Sequence, residues 1–262
     1  MTRLNGRTMT TAGGSGDLGP LDLLHYKLAA EVLPAGTILD DGCGRGSGSV
    51  LLARADRHVI AIDPDPKAFF DVSVEQRQMP IVFRTKASER LEFPASRFDA
   101  VVSFEVIEHL RNQRTYVDEI ARVLKDDGIL MLSTPNRKVI EQYYIGGLSP
   151  LNITHVRELY PHELKDLLSA RFRIDRLQAI HDDNMESRQR SLQYQKSSRV
   201  PYRLRTKVPL YIREWWVRTK GLSTHSSWIA EDVDWETLDD SQSLRHENLL
   251  VTCHRKGATI TQ

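Results

Sequence analysis

The chain has 262 residues, 40% of them hydrophobic and 27% charged, enough to bury a substantial core and in keeping with one elaborated α/β domain. A formal net charge of +1 gives the whole molecule no electrostatic attraction for nucleic acid or membrane. No apolar run approaches the length of a membrane span and Met1 to Gly16 lacks the apolar core of a signal peptide, so a cytoplasmic location is expected, with Cys43 and Cys253 as free thiols.

Residues 1–18 are rich in Gly, Thr and Ser and are expected to be disordered, leaving 19–262 as a single domain. Leu21, Leu24, Leu28 and Val32 keep helical spacing between Pro20, a good first-turn residue, and Pro34, which ends the run. In the stretch Thr37 to Gly48, Ile38 and Leu39 read as the end of a buried strand and Asp40 and Asp41 as its carboxyl edge. Gly42, Gly44 and Gly46 then turn the chain into the helical run Ser49 to Ala55. Glycine permits positive φ and close approach of a ligand, and the N–H groups of the following helix face whatever binds. A dinucleotide fingerprint would need its last glycine at Ser47 or Ser49, and no Gly-Lys-Ser/Thr of a phosphate loop follows.

Beyond the loop, His58 to Ile62 is a buried strand ending in Asp63, a position from which a carboxylate accepts both hydroxyls of a ribose. A helix over 65–77, a strand from Ile81 to Arg84, a strand from Ala100 to Phe104, a helix from Glu105 to about Leu124 and a strand from Ile129 to Thr134 follow. The alternation predicts a parallel sheet with right-handed crossovers and a ligand site beyond the strand carboxyl ends. A helix from His162 to Ala170, a sixth strand from Phe172 to Ile180 and a closing strand from Leu249 to His254 complete the pattern.

The pattern D-x-G-x-G-x-G at Asp40 to Gly46, followed by an acid at Asp63 and the later strands in order, resembles motif I and its context in the class I S-adenosylmethionine (SAM)-dependent methyltransferases. The resemblance covers roughly 20–180 plus the last strand. It implies a Rossmann-like, mostly parallel seven-stranded sheet, with the crevice between the first and fourth strands. It further implies SAM held by Asp40, Gly42, Cys43, Gly44, Asp63, Pro64, the Ser88 region and Phe104, with His25 and Tyr26 reaching in from the first helix; packing alone is the alternative for Tyr26. Relatives carry an acid after the third strand; here Lys86-Ala87-Ser88 has none, so the adenine would rest on backbone near Ser88 or on Glu89.

Glu105, Glu108 and His109 fall at i, i+3 and i+4, one face of the expected helix, and two carboxylates with an imidazole suit a divalent ion. His155, after the fifth strand, would complete the set. E-x-x-E-H with a distant His resembles the metal-dependent arrangement of small-RNA 2′-O-methyltransferases and ubiquinone-pathway O-methyltransferases. On that likeness Glu105, Glu108, His109 and His155 would hold Mg²⁺ or a similar ion beside the acceptor hydroxyl. A second reading needs no ion: Glu105 borders the cofactor and His109 or His155 serves as general base.

An insertion at 182–246, expected to be α-rich, would shape the acceptor site or cover it as a lid. From Arg188 to Lys220 ten Lys/Arg stand against the single acid Glu214, interleaved with Tyr194, Tyr202, Tyr211, Trp215 and Trp216. This strip suits an anionic or sugar-containing small-molecule acceptor or an anionic membrane surface. Pairing with the six acids of Glu231 to Asp240 is the internal alternative, and without a recognition module nucleic acid is not an expected partner. The S-T-P-N at Ser133 to Asn136 and the H-V-R-E-L at His155 to Leu159 resemble methyltransferases of surface-polysaccharide and secondary-metabolite pathways, which implies a hydroxyl as acceptor. Methylation of an amine, and SAM binding without catalysis, are the two readings set against it.

Overall fold

Pro20 opens the first helix, α1 (Pro20–Val32), where its missing N–H costs no intrahelical bond, and Leu24 and Leu28 lie on the buried face. The computed structural model describes residues 18–65, 79–140, 155–182, 228–235 and 248–257. The expected disordered N-terminal segment, the helix over 65–77 and the basic strip 188–220 lie wholly or almost wholly outside them.

Eight strands form one sheet: β1 (Gly36–Asp41), β2 (Arg57–Asp63), β3 (Ile81–Thr85), β4 (Phe98–Phe104), β5 (Leu124–Pro135), β6 (Phe172–Asp182), β7 (Trp228–Asp232) and β8 (Asn248–Arg255). Their order is β3-β2-β1-β4-β5-β8-β6-β7. The first five neighbours run parallel, β8 runs antiparallel to both β5 and β6, and β7 is antiparallel to β6. This is the Rossmann-like α/β architecture of the class I methyltransferase fold, with all seven expected strands present. An eighth, β7, comes from inside the 182–246 insertion, and the expectation that this insertion is α-rich falls almost wholly outside the described residues. W-I-A-E-D is a short edge strand with two acids, so periodicity alone did not single it out.

Side chains alternate across the sheet and both faces are covered. Leu39, Ile60, Val101 and Leu130 pack towards α3 (Gln113–Val123) and α4 (Pro161–Ser169). Ile38, Val59, Ala61, Val102 and Met131 pack with the side chains of α1 and of α2 (Ser47–Leu52). Among the described residues no helix is long and apolar enough to cross a membrane.

The helix expected from Glu105 to Leu124 is corrected. Glu105 takes a left-handed φ of 56°, Ile107–His109 form a single 3₁₀ turn, and α3 begins only at Gln113. Asn112 sets that start, its side chain accepting from the Thr115 N–H at 3.1 Å. Glu105, Glu108 and His109 therefore do not share one face of an α-helix, and their relation rests on tertiary packing instead.

Arg57, a charged residue at the head of a buried strand, is fully buried. Its guanidinium donates to the carbonyls of Ala30, Leu33, Pro34 and Leu52, so one side chain closes the C-terminal ends of both α1 and α2. Replacing Arg57 by Leu leaves these carbonyls with a hydrocarbon neighbour and is expected to lower the unfolding free energy by roughly 3 kcal/mol. A urea titration measures this; an unchanged midpoint would contradict the capping role.

Candidate functional site

The end of β1 and the glycine loop lie between β2 and β4, at the point where strand order reverses. The N–H groups of Gly42 and Cys43 both donate to the Ile62 carbonyl, at 2.9 and 3.0 Å, which fastens the loop to β2. Gly42 has φ 78°, and a Cβ there would stand 2.3 Å from Val106 Cγ2, so the loop packs directly on the segment after β4. Gly44 has φ 52° and a Cβ there would meet nothing within 4 Å, so the loop opens at this residue onto space. Asp63 borders that opening. One carboxylate oxygen accepts from the Gly44 N–H at 3.0 Å and the other from the Asp65 N–H at 2.9 Å. Pro64, next to it, is exposed.

Asp40 and Asp41 point to opposite faces, as adjacent strand residues must. Asp40 accepts from the Tyr26 hydroxyl at 2.9 Å and the Ser49 hydroxyl at 2.6 Å, linking α1 and α2 to the loop. Where direct cofactor contact is expected of Tyr26, the structure instead buries the ring, commits its hydroxyl to Asp40 and sets it edge-on to Phe104 at 5.0 Å. Phe104 is likewise buried, against Tyr26 and His25. On the other face Asp41 accepts from the Ser88 and Tyr116 hydroxyls, each at 2.6 Å, and Tyr116 also meets Ser103 at 2.6 Å. The Ser88 hydroxyl thus donates to Asp41. The buried Cys43 thiol is pushed far up by desolvation and then by the surrounding acids, which makes it an unreactive packing group.

Burial raises Asp40 to about 7 and Asp41 to about 6 from an ordinary 3.8, in spite of the hydroxyl bonds that favour their charged forms. In both, the folded-state value is the higher one. Between about pH 4 and 7 the native state therefore holds protons that the unfolded chain has released, and stability falls as pH rises through that window. Asp41→Asn removes one of the two groups. Its unfolding free energy, followed by denaturant titration from pH 4 to 8, should fall less steeply than the wild type's; parallel curves would contradict the assignment.

Beside this loop, the segment after β4 gathers the second group of residues. Glu105 is tied down: its carboxylate accepts from the Ser133 hydroxyl at 2.8 Å and the Asn248 amide at 2.7 Å. Glu108 is fully buried; one carboxylate oxygen accepts from Thr134 at 3.1 Å. The other has no hydrogen-bond partner and lies 4.0 Å from His109 Nε2. The His109 and His155 rings stand perpendicular with centroids 4.8 Å apart. Glu108, His109 and His155 bring one ligand atom each within 4.8 Å of one another. Three of the four expected ligands thus converge. Glu105 is outside that triad, its oxygen shared between Ser133 and Asn248.

Desolvation and then the charge of Glu105 raise the Glu108 carboxyl well above its usual range. An orphaned buried oxygen, two imidazoles and crowded acids fit a divalent ion chemically. The opening over Gly44 with Asp63 at its rim fits a ribose-bearing cofactor. The residues that sequence reasoning left unassigned are Ser133, Asn248, Gln113 and Glu158. Ser133 and Glu158 stood inside the S-T-P-N and H-V-R-E-L stretches; nothing in the sequence joins Asn248 to Glu105, 143 positions earlier.

Residues 39–132 match the family model of a methyltransferase domain. A probable S-adenosylmethionine-dependent methyltransferase of Mycobacterium tuberculosis (strain H37Rv) is 40% identical over 143 residues, 55% of this chain and 50% of the relative. A ubiquinone biosynthesis O-methyltransferase of Xanthomonas campestris pv. campestris (strain B100) is 33% identical over 153 residues, 54% of this chain and 64% of that protein. The chain thus spans about half the length of the first of these relatives. Among solved structures, the [4+2]-cyclase SpnF superposes with a TM-score of 0.56 at 17% identity, covering 95% of this chain and 87% of that one. At that identity the likeness speaks for the fold alone.

Proposed function

We propose, from the methyltransferase-domain match and the SAM-dependent relatives, that the chain transfers a methyl group from SAM to a hydroxyl of a small molecule, with a divalent ion such as Mg²⁺ at Glu108, His109 and His155. The observation that carries this reading is the convergence of those three residues around an unpartnered carboxylate oxygen, directly after Val106, the residue on which the glycine loop packs at Gly42. The likeness to the Xanthomonas ubiquinone biosynthesis O-methyltransferase supports oxygen as the acceptor atom.

When bound, SAM supplies an electrophilic sulfonium methyl group. Gly42 and Gly44 would let it approach the backbone, Asp63 would accept its ribose hydroxyls, and Asp40 and Asp41 hold the loop from the two faces of the sheet. Glu108, His109 and His155 would hold the ion, whose chemistry when bound is to acidify and orient a hydroxyl. Glu105, locked by Ser133 and Asn248, stands at the boundary between loop and triad. In the balance, the acceptor oxygen would gain the methyl group, its proton would pass to solvent, and the sulfonium would leave as a neutral thioether. Residues of the 182–246 insertion would supply the acceptor's other contacts.

The test is transfer of labelled methyl from SAM into fractionated small molecules, run with and without chelator. Label should enter a hydroxyl-bearing compound, disappear on chelation, return with Mg²⁺, and fall about 100-fold or more in Glu108→Gln with SAM binding retained. Transfer that survives both chelator and Glu108→Gln would remove the ion and Glu108 from the reaction. SAM binding with no transfer to any fraction would overturn catalysis.

A further inference from the structure

The segment carrying His155 is fixed to the 3₁₀ turn before its imidazole is considered. The N–H groups of Val156 and Arg157 both donate to the Glu108 carbonyl, at 2.8 and 3.0 Å. The side-chain amide of Gln113 donates to the carbonyls of Ile107, at 3.0 Å, and Arg157, at 2.8 Å, bridging the same two pieces of chain. These four bonds set where the His155 backbone lies relative to Glu108. They leave open which ring nitrogen faces the triad.

Glu158 settles that. It is 2% exposed, and its carboxylate lies 2.7 Å from His155 Nδ1. A carboxylate accepts, so the proton in this bond sits on Nδ1, and a neutral ring then carries its lone pair on Nε2. We propose that Glu158 is a positioning residue of the acceptor site, fixing His155 in its Nδ1–H form and so directing the Nε2 lone pair at the ion or proton shared with Glu108 and His109. The proposal rests on the reading above for the identity of that ion, and on geometry alone for the imidazole. Glu158 also places a second buried carboxyl group, after that of Glu108, beside the two imidazoles. A carboxylate buried this deeply is costly, and its bond to the neighbouring imidazole offsets part of that cost.

Two readouts on the full chain test this, neither of them turnover. Histidine labelled with ¹⁵N reports the tautomer of each ring through two-bond proton–nitrogen correlations, with the His155 signals identified by their loss in His155→Ala. Free Mn²⁺, counted by electron paramagnetic resonance, reports ion affinity. The wild type should show His155 as Nδ1–H. In Glu158→Ala that pattern should be lost and Mn²⁺ affinity should drop about 10- to 100-fold, with SAM affinity unchanged. Glu158→Gln, which keeps an acceptor oxygen without the charge, should retain Nδ1–H and lose less affinity. Glu158→Met, similar in volume and without an acceptor, replaces the alanine variant should that one fail to fold.

An Nδ1–H pattern that persists in Glu158→Ala or Glu158→Met would overturn the proposal. If the wild type takes up no Mn²⁺ while the tautomer still changes in Glu158→Ala, the ion is lost from the proposed function and Glu158 keeps its role toward His155 as a base.

Discussion

Two adjacent carboxylates at the end of β1 hold together the layers that meet at the glycine loop. Because neighbouring strand residues face opposite sides of a sheet, Asp40 reaches Tyr26 and Ser49 of α1 and α2, while Asp41 reaches Tyr116 of α3 and Ser88 after β3. Every wall of the cofactor crevice is thereby referred to one strand terminus. Burying two acids side by side is unfavourable in itself, and the hydroxyl bonds compensate only in part, as their raised proton affinities record. A fold that placed apolar residues here would be easier to stabilise, but it would have nothing polar with which to fix a loop that must stay open at Gly44.

The acceptor side is organised on a different principle, that of backbone stitching. The Glu108 carbonyl receives two N–H groups of the His155 segment while the Glu108 side chain lies with the two imidazoles, so one residue supplies both the scaffold and a candidate ligand atom. Gln113, the first residue of α3, braces the same junction from below. Such a fold can host many reactions, and the structural likeness to a [4+2]-cyclase illustrates how little the sheet alone decides. What separates one chemistry from another is the small set of groups set above the strand ends. Here that set is a buried glutamate with a spare oxygen and two histidines, next to a glutamate already locked by Ser133 and Asn248.

Much of this was legible in the sequence because it follows from short-range rules. Buried runs such as Val59 to Ile62 and Val101 to Phe104 announce parallel strands, glycines at positive φ announce the loop, and Pro20 announces the first helix. What escaped depends on contacts between distant parts of the chain. E-V-I-E-H-L reads as the start of a helix by periodicity, yet Glu105 is drawn into a left-handed conformation while Ser133 and Asn248 bind its carboxylate, and Asn112 starts the helix eight residues later than expected. Arg57 looks like a surface charge ahead of a strand, and only the folded chain reveals four carbonyls converging on it. Of the four side chains grouped by the sequence, three converge and Glu105 is held apart by Ser133 and Asn248, because spacing along a chain predicts proximity only where the helix it assumes exists.

The measurement that bears most directly on the account is a crystal structure of the full chain grown with S-adenosylhomocysteine and Mn²⁺, with anomalous data collected at the manganese edge. The account predicts the ribose on Asp63, the ligand backbone over Gly44, and one anomalous peak within bonding distance of the free Glu108 oxygen and the imidazoles of His109 and His155. A nucleoside seated away from the glycine loop, or manganese density anywhere but at that triad, would contradict it.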